Sequence, residues 1–274
     1  MDSHRCNTAG WGLASSADDM RKHILILGGT TEARELGQRL ADRTDISVTL
    51  SLAGRTAAPL AQVVPVRRGG FGGVAGLAQY LLDNEIGALI DATHPYASAI
   101  SAHALRAALQ TSTPMIALQR ATWQAVAGDR WTDVLDAGEA VGALGIKAKN
   151  VFLAVGRQEL AHFASAPQHH YLIRSVDPVE PPLAVPNARY IIARGPFEEE
   201  QERALLLAHA IDVIIAKNSG GGATYGKIVA ARKLGIPVML LRRPPELAVP
   251  AVATVGAAIA WLDHVLKAPT DRGV

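Results

Sequence analysis

From His23 onward, short apolar runs alternate with longer stretches in which apolar residues recur every three or four positions. Uninterrupted apolar runs read as parallel strands buried on both faces, and the longer spacing reads as helices lying over them. The first series predicts strands near 23–28, 46–52, 63–67, 86–92 and 114–118, with helices near 31–42, 73–84 and 95–109. After a less regular stretch at 120–136, strands are expected near 151–155, 169–175, 189–194, 211–216 and 237–242, again separated by helices. Right-handed crossovers build parallel sheets from this alternation. The expected fold class is therefore α/β: two Rossmann-like lobes with parallel sheets and a cleft between them. The expected bounds are an N-terminal tail over 1–22, a first lobe over 23–119, a second over 120–267 and a C-terminal tail over 268–274.

Two stretches depart from the alternation. Pro178, Pro181, Pro182 and Pro186 lie between Val176 and Asn187, which excludes helix there and leaves a binding loop, a lid or a plain connection. At the C-terminus, Val255, Ala258, Ile259, Leu262 and Leu266 have helical spacing, so that segment is expected to pack on a sheet. Met20-Arg21-Lys22 directly precedes the first strand, which makes Met20 an alternative natural start to Met1.

Composition narrows the function classes. The 274 residues allow one to two domains, and 49% hydrophobic against 19% charged residues leaves ample material for cores. Twenty-seven basic against 25 acidic side chains give a net charge of only +2, so nucleic acid and membrane surfaces are not expected partners. Any anionic ligand has to be met by local charge. The lone Cys6 permits neither an internal disulfide nor a cysteine metal cluster, which fits a reducing cytoplasm. No run approaches the roughly 18 apolar residues of a membrane helix. His169 and His170 point to opposite faces of a strand, and no metal site is assigned.

The chemistry-bearing residues fall at strand ends. Gly28-Gly29-Thr30-Thr31-Glu32-Ala33 follows the first strand and opens a helix, the setting in which main-chain N–H groups hold a pyrophosphate. Thr30 and Ala33 replace two glycines of the usual dinucleotide pattern, so the turn alone does not distinguish a cofactor site from a well-capped turn. The second strand ends in Ser51-Leu52-Ala53-Gly54-Arg55, without the carboxylate that would take a ribose hydroxyl. Ser51 and Arg55 can bond a 2′-phosphate instead, which favours NADPH over NADH. Gly72, in the glycine-rich Gly69–Gly73, and Thr93, His94 and Tyr96, after the fourth strand, complete the candidate cofactor edge. His94 and Tyr96 are the candidate catalytic groups.

In the second series, basic residues stand just after strands: Arg157, Arg174, Arg194 and Lys217. With Arg120 they are expected to converge on one rim that grips carboxylates or phosphates. The turn through Ser219, Gly220 and Gly221, with Thr224 and Lys227 in the helix beyond, reads as an anion-binding helix N-terminus but lacks the Gly-Lys-Ser/Thr end of a P-loop. Trp123 is a further candidate contact. Glu198, Glu199, Glu200 and Glu202 read as surface charges favourable to a helix start.

Taken in order, these segments resemble the precorrin-6A reductase family of cobalamin biosynthesis, which includes a cobalt-precorrin branch. The resemblance rests on Gly28 to Arg34, Gly69 to Gly73, Asp91 to Ala97, Gly156-Arg157, Arg194 to Phe197, Lys217 to Gly221 with Thr224 and Lys227, and Ala230 to Val238 with Arg243-Pro244. It covers about His23 to Pro244. Arg120-Ala121-Thr122-Trp123 departs from the family's Arg-Pro before the Trp. The resemblance implies NADPH in the first lobe, precorrin-6A in the cleft, hydride delivery to C19 and protonation at C18. The next enzyme of the corrin pathway is an expected partner. Two readings stay open beside it: a nucleotide-sensing module without turnover, and a cobalt-precorrin-6A reductase using NADH. A short-chain dehydrogenase is disfavoured, because no tyrosine has a lysine four residues later.

Overall fold

Lys22–Leu27 (β1) carries Ile24, Leu25, Ile26 and Leu27 in succession, all buried, so both faces of this strand need cover. The computed structural model describes residues 21–54 and 60–267. β1 lies between Ile46–Leu52 (β2) and Ile86–Asp91 (β4), parallel to both. Val66–Arg68 (β3) extends the sheet beyond β2, and Met115–Leu118 (β5) extends it beyond β4. On one face, Thr31–Leu40 (α1) buries Ala33, Leu36, Gly37 and Leu40, the positions that helical periodicity brings to one side. On the other, Gly73–Asp83 (α2) and Ser98–Thr111 (α3) pack Leu77, Leu81, Ala104 and Ala107 against Leu25, Leu27 and Leu89.

The second sheet repeats the plan. Its strands are Trp131–Val134 (β6), Asn150–Ala154 (β7), His170–Ser175 (β8), Ala188–Ile192 (β9), Val213–Lys217 (β10) and Val238–Leu241 (β11), in the order β6-β11-β10-β7-β8-β9. Ala137–Leu144 (α4) and the short Arg157–Leu160 (α5) lie on one side. Glu199–Ala208 (α6) and Gly226–Leu234 (α7) lie on the other.

The first sheet's outermost strand comes from the far end of the chain, whereas the second sheet is built from consecutive strands. After β5 the chain crosses to form β6 in the second sheet, and after β11 it returns to form Ala251–Val252 (β12) against β5. Val255–Lys267 (α8) then buries Val255, Ala258 and Leu262 on the core shared by β1 and α1. The second lobe therefore does not extend to 267, because the last strand and helix belong to the first. The apolar spacing of α8 is as expected, and its tertiary partner settles which lobe it completes.

Two further expectations are corrected. The stretch 120–136 contains β6, whose four residues are too few to reveal a period. As the prolines require, no helix connects β8 to β9; Val179, Leu183 and Val185 of the Pro-rich segment pack on the core, and Leu183 N–H donates to the Tyr190 hydroxyl (2.7 Å). α3 begins at Ser98 rather than at Pro95. The tail before Arg21 and the segment after Lys267 lie outside the described residues. Among the described residues, no helix is long and apolar enough to cross a membrane.

Candidate functional site

In an open parallel sheet, ligands collect beyond the carboxyl ends of the strands where the winding direction reverses. In the first sheet that point lies between β1 and β4, and in the second between β7 and β10. The two points face each other across the crossovers.

On the first side, the Thr30 hydroxyl caps α1 by accepting from Ala33 N–H (3.1 Å) and donates to the Ala92 carbonyl (2.8 Å), tying the β1 and β4 turns together. Gly28 has no room for a Cβ, which would lie 2.5 Å from Leu50 Cδ1, and Gly29 has φ +118. The first N–H groups of α1, at Thr31 and Glu32, have no acceptor within the helix. Ser51 is buried at the end of β2, beside Gly54, and Gly72 precedes α2 in a left-handed conformation. Arg55 lies outside the described residues.

Beyond β4, the buried Asp91 accepts from Thr93 N–H (3.0 Å) and from the Thr93 hydroxyl (2.7 Å), which fixes the loop carrying His94 and Tyr96. His94 Nδ1 accepts from Tyr96 N–H (3.3 Å), placing the ring proton on Nε2. Burial, and then the charges of Arg120, Lys217 and Arg243, push the imidazole pKa down to about 3, so the ring is neutral at ordinary pH. The Tyr96 hydroxyl donates to the Leu241 carbonyl and accepts from Asn218 N–H (2.9 Å). Burial raises its pKa to about 12. His94 thus offers an N–H but no imidazolium, and the phenolic proton of Tyr96 is already engaged.

The second side brings only part of the expected rim together. Arg120, on the outgoing crossover, pairs with Glu32 of the cofactor turn (2.7 Å) and donates from Nε to the Ser219 carbonyl (2.7 Å). Lys217 pairs with Glu159 (2.7 Å), its ammonium 4.9 Å from the centre of the Tyr96 ring. Arg157 is half-exposed, with Asp177 at 3.9 Å, and Arg194 stands exposed just beyond β9.

Arg174, Lys227 and Trp123 are turned inward instead. Arg174 is buried in a two-pronged pair with Glu202 (2.9 Å on one arm), stacked on Phe197 at 3.7 Å. Glu202 is therefore not a surface charge: α6 aims it inward at the strand that carries Arg174. Lys227 is 3% exposed, donates to the Thr224 carbonyl (2.6 Å) and lies over the Trp123 ring. Burial, then the charge of Arg174, lowers its pKa to about 7. Trp123 is buried, and its indole N–H donates to the Gly221 carbonyl (2.7 Å). These residues shape the wall of the cleft from behind. In the turn through Ser219, Gly220 and Gly221, the Ser219 carbonyl accepts from Arg120 and Arg243 and the Gly221 carbonyl from the Trp123 indole.

Residue-by-residue reading missed Glu159, Asn218 and Arg243. The last two sit inside segments that carried the family resemblance, but a side chain whose partners are main-chain groups leaves no charge pattern to detect. Glu159 follows Arg157 by two positions and has no partner in sequence; β10 brings Lys217 to it. The facing turns leave a narrow crevice lined by Thr30, Glu32, Thr93, Pro95, Gln119 and Arg120.

The whole architecture has counterparts among known proteins. A family model described as precorrin-6x reductase CbiJ/CobK matches residues 23–263. A precorrin-6A reductase of a Sinorhizobium species is 54% identical over 90% of this chain and 94% of its own length. That of Rhodobacter capsulatus is 50% identical over 92% and 99%, respectively. A solved structure named CobK precorrin-6A reductase superposes with a TM-score of 0.86 at 49% identity, covering 92% of this chain and all of its own. With both lobes, both crossovers and the returning strand β12 inside the matched region, the chain belongs to the precorrin-6x reductase family.

Proposed function

We propose that this protein is a cytoplasmic precorrin-6A reductase of cobalamin biosynthesis that uses NADPH, with hydride transfer to C19 and protonation at C18. The observation that carries the reading is half-identity, spanning both lobes, to relatives named for that reaction. The residues fit the cofactor: α1 starts with N–H groups that have no acceptor within the helix, and the described end of β2 lacks the carboxylate that would repel a 2′-phosphate. Gly28 to Thr31 would hold the pyrophosphate, with Ser51 and Arg55 at the 2′-phosphate. NADPH supplies the hydride when bound.

The chain's own groups supply binding and charge. Glu32 would oppose an anion at the helix start, and Arg120 cancels its charge. His94, held neutral, donates a hydrogen bond without adding a further positive charge among Arg120, Lys217 and Arg243. Arg120 and Lys217, with Arg157 and Arg194, form the edge that suits a substrate bearing many carboxylates.

The test is consumption of NADPH by the purified protein on addition of precorrin-6A, followed through the near-ultraviolet absorbance of the reduced nicotinamide. NADH and cobalt-precorrin-6A serve as comparison arms. Turnover fastest with NADPH and the metal-free substrate is expected. NADPH binding without substrate-dependent oxidation would leave a nucleotide-binding module, and preference for NADH with the cobalt substrate would move the protein to the other branch.

A further inference from the structure

Arg243 lies two residues beyond β11, where the chain starts back toward the first lobe. Its guanidinium donates to four main-chain carbonyls: Nε to Asn218 (2.9 Å), Nη1 to Arg120 (2.8 Å), and Nη2 to Ser219 (3.0 Å) and Ala121 (3.4 Å). None of these acceptors is a carboxylate. Two of them lie on the outgoing crossover and two on the turn after β10, so one side chain of the return crossover joins the two other segments at the lobe junction. A rigid planar fork can span such a set of acceptors, whereas a lysine ammonium cannot.

The seat for this fork is built into the turn. Gly220 has φ +67, and a Cβ there would lie 2.0 Å from the Ala121 carbonyl oxygen and 2.5 Å from Arg243 Nη2. Only glycine lets the turn approach both. Asn218 strengthens the same junction: its side chain accepts from Trp123 N–H (2.8 Å) and donates to the Trp123 carbonyl (3.1 Å), while its own N–H reaches Tyr96. Arg120, whose carbonyl Arg243 holds, extends in turn to Glu32 beside the cofactor turn.

We propose that Arg243 is a positioning residue. It locks the outgoing crossover and the β10–α7 turn into one block, and so sets the spacing between the cofactor turn of the first lobe and the cations of the second. The kinetic part of the test rests on the function proposed above; the distance measurement does not.

Three variants separate the guanidinium fork from its charge. Arg243→Lys keeps the charge and loses the fork, Arg243→Gln loses both, and Gly220→Ala displaces the fork while leaving the arginine in place. NADPH affinity is expected to hold in all three, because the α1 turn is untouched. For a misplacement of order 1 Å, kcat/KM for precorrin-6A should fall about a hundredfold in Arg243→Lys and Gly220→Ala. Nitrogen NMR of labelled histidine should show His94 titrating at higher pH in Arg243→Gln but not in Arg243→Lys, a difference that a general loss of structure would not produce.

Spin labels on cysteines placed at Leu82 and Leu207, exposed positions on α2 and α6, with Cys6 replaced by serine, report the spacing of the lobes. Their distance distribution should broaden in Arg243→Lys and in Gly220→Ala. Wild-type kinetics with an unchanged distribution in both variants would overturn the proposal. If the wild type itself fails to turn over precorrin-6A, the function falls, while the distance measurement still decides the role of Arg243.

Discussion

His94 and Tyr96 stand on one loop with ring centres 5.7 Å apart, yet their surroundings give them different work. Both are polar groups at a cleft edge, and sequence alone makes them equivalent candidates for proton transfer. The Tyr96 hydroxyl, however, spans from the first lobe to the ends of β10 and β11, and both of its hydrogen-bonding roles are used there. Tyr96→Phe should therefore act mainly on stability. Loss of the hydroxyl removes two hydrogen bonds, worth about 0.5–1.5 kcal/mol each, while Asn218 N–H keeps its longer bond to the Leu241 carbonyl (3.3 Å). Thermal unfolding should show a lowered Tm with kcat changed little; a collapse of kcat at unchanged Tm would make the phenol a chemical participant. The same contrast holds for Arg174, which is buried rather than at the rim. An arginine after a strand looks like a rim charge until α6 brings Glu202, 28 positions away, to meet it.

At the scale of elements, strands and helices were largely legible from local pattern. β1, β2, β4 and β10 lie close to the expected ranges, because burial on both faces demands continuous apolar runs. Less legible were connections: that the Pro-rich segment between β8 and β9 packs on the core, and how the turn leads into α7. α7 carries a lysine in its first turn that sequence places at an anion site, but the helix packs it inward beneath Trp123. That burial has a pH consequence. The native pKa of Lys227, near 7, lies below its value of about 10.4 in an unfolded chain, so between these values the unfolded state binds more protons. Stability contributed at this position must therefore rise as pH increases from about 7 toward 10. Urea unfolding of the wild type and Lys227→Met across that window should show the wild type gaining relative to the variant. A difference that stays constant with pH would mean that the ammonium remains charged in the folded protein.

The whole molecule is tied together by the return of its last strand and helix to the first lobe. Because β12 and α8 complete the first lobe after the second has been built, residues more than 200 positions from β1 close its core. Leu262, fully buried on α8 against that core, tests the coupling. Leu262→Ala should cost about 2–5 kcal/mol by opening a cavity. The loss should appear as a lower midpoint of the first lobe's unfolding, followed by Trp261 fluorescence, and an unchanged midpoint would show that α8 does not support the lobe.

The amino-acid sequence by itself determined the elements, the parallel α/β class and the strand ends at which ligands gather, since periodicity and glycine or proline breaks act over a few residues. It also carried the ordered segments that mark the family. Only the tertiary structure decided which lobe owns the last strand and helix, which cations face the cleft, and how the lobes are joined. Arg120 meets Glu32 across 88 positions and Tyr96 meets Asn218 across 122. Whether a charge is a rim contact, a buried pair or a clasp on carbonyls depends on the dielectric surroundings and partners that folding supplies, and neither is written in the residue's neighbours along the chain.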